Sequence, residues 1–251
     1  LVQKIFNKVA LNNDLGDRPI SISIRAGEGM YYVLGGTELG ICEGKDNYCH
    51  YYVNLNPFIR FMGFRAADVN YAIRQSYLFG FPGAVAFPSG AIAIDRSTFR
   101  VFKGKEGFIA SVIAHEMNHI LGFSSFEASL ETLKLRLDDK KKSKEELDGV
   151  YLNKFQLAEA EADRGGALMV YSSGYPKNTY LRAIELTYKA TGIIHDKKQS
   201  EKHPDYIKRL KLIKEFMDDE SFKKEKIGNH SAPLTWEYNR RGNWLRFYPN
   251  K

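Results

Sequence analysis

The sequence predicts an α+β protein in which a small, mostly antiparallel sheet packs on a helical unit. Three features carry this reading. The first third alternates in strand fashion, the pattern turns helical from Lys105 almost to the end, and no internal repeat marks a solenoid. With 251 residues, 43% of them hydrophobic and 27% charged, the chain can build one large core without covalent staples. Its 21 glycines and 8 prolines are too few for a fibrous or disordered chain.

Strands are expected at Ile20 to Ile24, where isoleucine alternates with serine, and at Met30 to Leu34 and Tyr51 to Leu55, which are aromatic and β-branched. Cys42 and Cys49 bracket a polar loop. A disulfide is the first expectation there, two inert thiols the second, and a metal site with His50 a distant third. Ala66 to Leu78 spaces Val69, Ile73 and Tyr77 as a helix does. Ala84 to Phe87 and Ala91 to Ile94, joined by Pro88-Ser89-Gly90, read as an uncharged hairpin. Helices follow at Glu106–Leu121, Phe126–Leu137, Val150–Ser172, Thr179–Ala190 and Pro204–Asp219, with the charged run Asp138 to Asp148 as a solvated connector. One domain is expected over 1–226, strand-rich to 100 and helical after it. Residues 227–251, with Trp236 and Trp244, form an aromatic and basic strap.

The net charge is +7, but acidic and basic residues are mixed, which reads as solvated helix faces; no nucleic-acid partner is expected. The longest uncharged run, Gln75 to Ile94, is broken by Gly80, Pro82, Gly83, Pro88 and Gly90, so no membrane span is expected. The chain opens at Leu1 without a basic-then-apolar leader, so any targeting segment or anchor is expected to lie outside it. A disulfide at Cys42 and Cys49 would imply an oxidising, extracytoplasmic setting.

The sharpest signal is His115-Glu116-Met117-Asn118-His119. On a helix, positions i and i+4 share a face, so both imidazoles can reach one zinc ion while Glu116 serves the attacking water. The flanking Phe108, Ile109, Val112 and Ile113 would bury this segment, and burying such a polar cluster is costly unless a metal compensates it. A third histidine six residues on would mark a metzincin, but Ser125 stands there. A carboxylate from a later helix is left, and Glu159-Ala160-Glu161-Ala162-Asp163 offers one. Glu159 is the favoured ligand, because it shares a helix face with Asp163 while Glu161 points about half a turn away. Asp163 then accepts from a ring N–H of a zinc histidine.

HEMNH, then EAEADRGGALMV, then HPDYIKRL, with AVAFPSGAIAI upstream, resembles the HtpX and CAAX-prenyl-protease family of gluzincin metallopeptidases, in its soluble extracytoplasmic branch. The resemblance covers Ala84 to Leu210, about half of the chain. It implies one Zn²⁺ on His115, His119 and Glu159, Glu116 as general base, and His203 with Arg209 near the reacting carbonyl or a site carboxylate. The expected activity is hydrolysis of peptide bonds in extended or unfolded polypeptides. The alternative is a zinc-stabilised binding or chaperone module without activity, against which the general base Glu116 argues. His195 and His230 lack such context.

Overall fold

Val2, Ile5, Phe6, Val9 and Ala10 recur at helical spacing and are all buried, and they make the first element a helix, α1 (Val2–Leu11). The sequence reading named no element before Ile20 in its strand-rich first 100 residues, and this helix is an addition to it. The computed structural model describes residues 1–15, 19–25, 77–78, 80, 82–122, 127, 130–131, 133–135, 137, 143–191, 206–219, 222, 235–240 and 244–248. The expected strands at Met30 to Leu34 and Tyr51 to Leu55, most of the expected helix before Leu78, Cys42, Cys49, His50, His195, His203 and His230 lie outside those residues.

The architecture is α+β, and the described residues form a five-stranded mixed sheet in the order β2-β3-β1-β5-β4. Its strands are β1 (Ile20–Arg25), β2 (Ala84–Phe87), β3 (Ala91–Asp95), β4 (Thr235–Asn239) and β5 (Trp244–Tyr248). Only β1 and β3 run parallel; the other neighbouring pairs are antiparallel. Ile20 and Ile22 are buried while Ser21 and Ser23 are half-buried, as period-two alternation requires. Gly90 turns β2 into β3 at φ +85°, and a Cβ there would lie 2.8 Å from the Pro19 carbonyl oxygen, so this turn needs glycine.

The tail expected as a strap is a β-hairpin, and β5 pairs with β1 inside the sheet. Its aromatics do pack back on the domain: Trp236 and Phe247 lie 5.0 and 5.1 Å from the Phe6 ring of α1. The Trp236 indole N–H also donates to Asn7 Oδ1 at 2.6 Å. A half-buried Trp with its one donor satisfied contributes apolar area without leaving a polar group stranded.

The helical unit comprises α2 (Arg96–Val101), α3 (Glu106–Gly122), α4 (Lys144–Ser172), α5 (Thr179–Thr191) and α6 (Tyr206–Asp218). Helix α4 starts six residues before the predicted Val150, inside the run read as a connector. Ser143 accepts from the Glu146 N–H at 3.2 Å while the Glu146 carboxylate accepts from the Ser143 N–H at 2.8 Å. This capping box satisfies two orphan amides and lets a charged segment start a helix. Helix α3 lies at the centre, packed on α4, α5, α1 and β2. Ile109, Ala110, Ile113, Ala114 and Met117 are fully buried. Among the described residues, no helix is long and apolar enough to cross a membrane.

Candidate metal centre

Helix α3 is almost wholly enclosed, so any polar side chain on it must find partners inside the protein. His115 and His119, one turn apart, meet with their Nε2 atoms 3.1 Å apart. Helix α4 brings Glu159 against both: Oε2 is 3.3 Å from His115 Nε2 and Oε1 is 3.3 Å from His119 Nε2. Glu159 is 3% exposed. These three residues are the group among the described residues whose donor atoms could share one metal ion. Zinc bonds of about 2.0–2.1 Å at tetrahedral angles place neighbouring ligand atoms about 3.3 Å apart. The 3.1 Å between the two Nε2 atoms is close to that spacing, and each imidazole has one Glu159 oxygen at 3.3 Å, Oε2 for His115 and Oε1 for His119. Two neutral imidazoles and one carboxylate also fit zinc chemically. Glu161, on the same helix, is exposed and outside the cluster.

Behind the cluster lies a second layer. Asp163 Oδ1 is 3.2 Å from His115 Nδ1, the position expected for the acceptor of a ring N–H. Arg209, from α6, forks onto the same carboxylate, Nε to Oδ2 at 2.6 Å and Nη2 to Oδ1 at 2.7 Å. Of the two roles that the sequence left open for Arg209, the structure shows the pairing with a carboxylate. Tyr180, from α5, was not singled out in the sequence. Its hydroxyl donates to Asp163 Oδ1 at 2.9 Å and lies 3.0 Å from His115 Nδ1. A lone tyrosine has no spacing signature, and only the packing of α5 on α3 and α4 brings it here.

Two glycines of α4 make this packing fit. A Cβ on Gly166 would come within 2.7 Å of the Tyr180 ring, and one on Gly165 would run into the Asn118 amide. Asn118 is in turn tied to α3, donating to the Ala114 carbonyl at 2.8 Å. These contacts name the side chains that need the space at the crossings of α4, Tyr180 of α5 and Asn118 of α3.

Charge follows from this geometry. Burial alone would lower the His115 imidazole, but Asp163 and Glu159 overcome it and raise its pKa to about 10. Without a metal, a proton therefore fills part of the cation's place. Burial raises the Glu116 carboxyl above the usual carboxylate range, against the pull of the two imidazoles. Asp163 is also buried, which raises it, yet the Arg209 guanidinium and His115 hold it well below the usual range. It is an anion throughout the physiological range.

Glu116 is 8% exposed and faces a cleft also lined by His115, Val112, Gly83, Ile184 and Tyr188. Its carboxylate accepts a backbone hydrogen bond from Ala86 of β2. No family model, curated protein or solved structure matches this chain significantly, so the functional reading rests on the site itself.

Proposed function

We propose that the protein is a zinc-dependent endopeptidase acting on extended or unfolded polypeptides. The observation that carries this reading is Glu116: a buried carboxylate with a raised pKa beside a three-donor metal cluster, open to the same cleft. A purely structural zinc site is closed by a fourth protein ligand and has no use for a neighbouring base.

When bound, zinc supplies Lewis acidity and makes water acidic near neutral pH. Glu116 takes the proton of the attacking water and returns it to the leaving amine. Asp163 keeps the His115 ring oriented, and Arg209 keeps Asp163 charged. His203, which lies outside the described residues, is assigned the donor to the carbonyl oxygen on the strength of the sequence resemblance.

Substrate binds along β2. Among the described residues this strand is the edge of the sheet. The Asp95 N–H donates to the Gly83 carbonyl and the Gly90 N–H to the Phe87 carbonyl. The antiparallel alternation then turns the backbone groups of Ala84 and Ala86 away from β3, which agrees with the Ala86 contact to Glu116. An extended peptide can add to that edge through main-chain hydrogen bonds with little side-chain selectivity. The cleft beside it takes an apolar side chain, because its walls are Val112, Ala183 and Ile184 and its polar groups are already paired. Ser111 donates to the Gly107 carbonyl, Thr187 to Ala183, Tyr180 to Asp163, and Arg209 is spent on Asp163. Cleavage of casein by protein as purified, after chelation and after return of zinc tests the reading. Activity should vanish and recover; cleavage indifferent to chelation overturns it.

A further inference from the structure

Asp163 Oδ1 is crowded. It accepts from Arg209 Nη2 at 2.7 Å and from the Tyr180 hydroxyl at 2.9 Å, and it also lies 3.2 Å from His115 Nδ1. A tyrosine hydroxyl carries its proton at neutral pH. A phenol has one proton, and this one is given to Asp163. Toward His115 Nδ1, 3.0 Å away, the Tyr180 oxygen can then offer only a lone pair.

Resting on the zinc reading above, we propose that Tyr180 is a positioning residue for the metal. With Asp163 it forms a two-acceptor seat that holds the proton of His115 on Nδ1. A neutral imidazole has one N–H and one bare nitrogen, so two acceptors at Nδ1 leave the lone pair on Nε2. Nε2 is the atom 3.3 Å from Glu159 and 3.1 Å from His119 Nε2. Arg209 completes the arrangement. By saturating Asp163 it prevents that carboxylate from taking the imidazole proton outright, and the phenol shares the remaining load.

The seat depends on a glycine. The Tyr180 ring lies where a Cβ of residue 166 would be, 2.7 Å from its Cε2 and 2.9 Å from its hydroxyl oxygen. Tyr180 is 1% exposed and Asp163 is 1% exposed, so water cannot replace the phenol without opening the packing of α4 on α5.

Tyr180→Phe keeps the ring on Gly166 and removes only the hydroxyl. Loss of such a supporting hydrogen bond weakens metal affinity about 10–100-fold. Zinc affinity of purified wild type and variant is measured by competition with a chromophoric chelator, alongside circular dichroism and thermal unfolding of the metal-free proteins. The expected result is a fall in zinc affinity of at least about 10-fold with the metal-free fold intact. In the same assay, Tyr180→Phe added to Asp163→Asn should cost less than Tyr180→Phe alone, because both act through one imidazole. A second measurement needs no variant. In zinc-loaded wild type, long-range nitrogen–proton spectra of the imidazoles should show the His115 proton on Nδ1, slow to exchange. Equal zinc affinity in wild type and Tyr180→Phe, or an Nε2-protonated His115, overturns the proposal while leaving the peptidase reading standing. Failure of the wild type itself to take up zinc would instead overturn the reading on which it rests.

Discussion

Glu159 and Glu161 are two residues apart on one helix, and their different surroundings separate a candidate ligand from a solvated carboxylate. Glu159 is enclosed between two imidazoles, whereas Glu161 is exposed. Glu159→Ala should therefore abolish stoichiometric zinc while Glu161→Ala leaves it near one per chain, read by metal analysis of the purified variants. His115 gives a pH signature. Its folded pKa of about 10 lies above the ordinary value of 6.5, so the protonated form favours the metal-free fold. That contribution is complete below about pH 6.5 and is lost as pH rises through about 10. The thermal midpoint of metal-free protein should fall across this window. In zinc-loaded protein the imidazole is already neutral; that decline is absent, and affinity weakens instead below about pH 6 as protons compete for the ligands. Titrated unfolding with and without zinc checks both signs. At this scale the cluster and its supporting carboxylate were legible in the sequence, because His115 with His119 and Glu159 with Asp163 each keep a four-residue helical spacing. Tyr180 was not legible, since its place depends on how two helices pack rather than on its neighbours along the chain.

Elements are held in register by small residues at their crossings. Alanine favours a helix over glycine by about 1 kcal/mol, so Gly165→Ala and Gly166→Ala would stabilise an isolated α4. In the folded protein each added methyl meets the Asn118 amide or the Tyr180 ring. Overpacking of this kind costs about 1–3 kcal/mol. Both variants should therefore be net destabilised in urea unfolding, and a stabilised variant would show that the crossing is looser than its contacts. Ser143→Ala removes the cap that starts α4 and should cost about 1 kcal/mol. The start of α4 escaped sequence reading because a charged run resembles a connector, although Ser143 and Glu146 already stood in capping-box spacing. Helices α3 and α5, whose apolar faces repeat regularly, began at the residues the sequence indicated and ended one residue later.

For the whole molecule, the two ends of the chain meet. Phe6 of α1 joins Trp236 and Phe247 in a cluster of edge-on and tilted rings, and β5 covers the edge that β1 would otherwise present. The strand-first, helix-after order read from the sequence overlooked both, because local periodicity does not reveal which strand pairs with which, and β1 joins β5 across almost the full length of the chain. Phe6→Ala should cost about 3–5 kcal/mol in unfolding, far more than its distance from the metal cluster suggests. Truncation before Thr235 should abolish cooperative unfolding, since it removes two of the five strands among the described residues. These tests concern the scaffold. The central claim, that the cluster serves peptide hydrolysis, is tested most directly by Glu116→Gln, which keeps shape and burial but removes the base. Metal content and casein cleavage of the same preparation are compared with wild type. The account predicts zinc retained near one per chain and cleavage reduced by at least about 10²-fold. Cleavage at the wild-type rate by a zinc-loaded Glu116→Gln protein would contradict it.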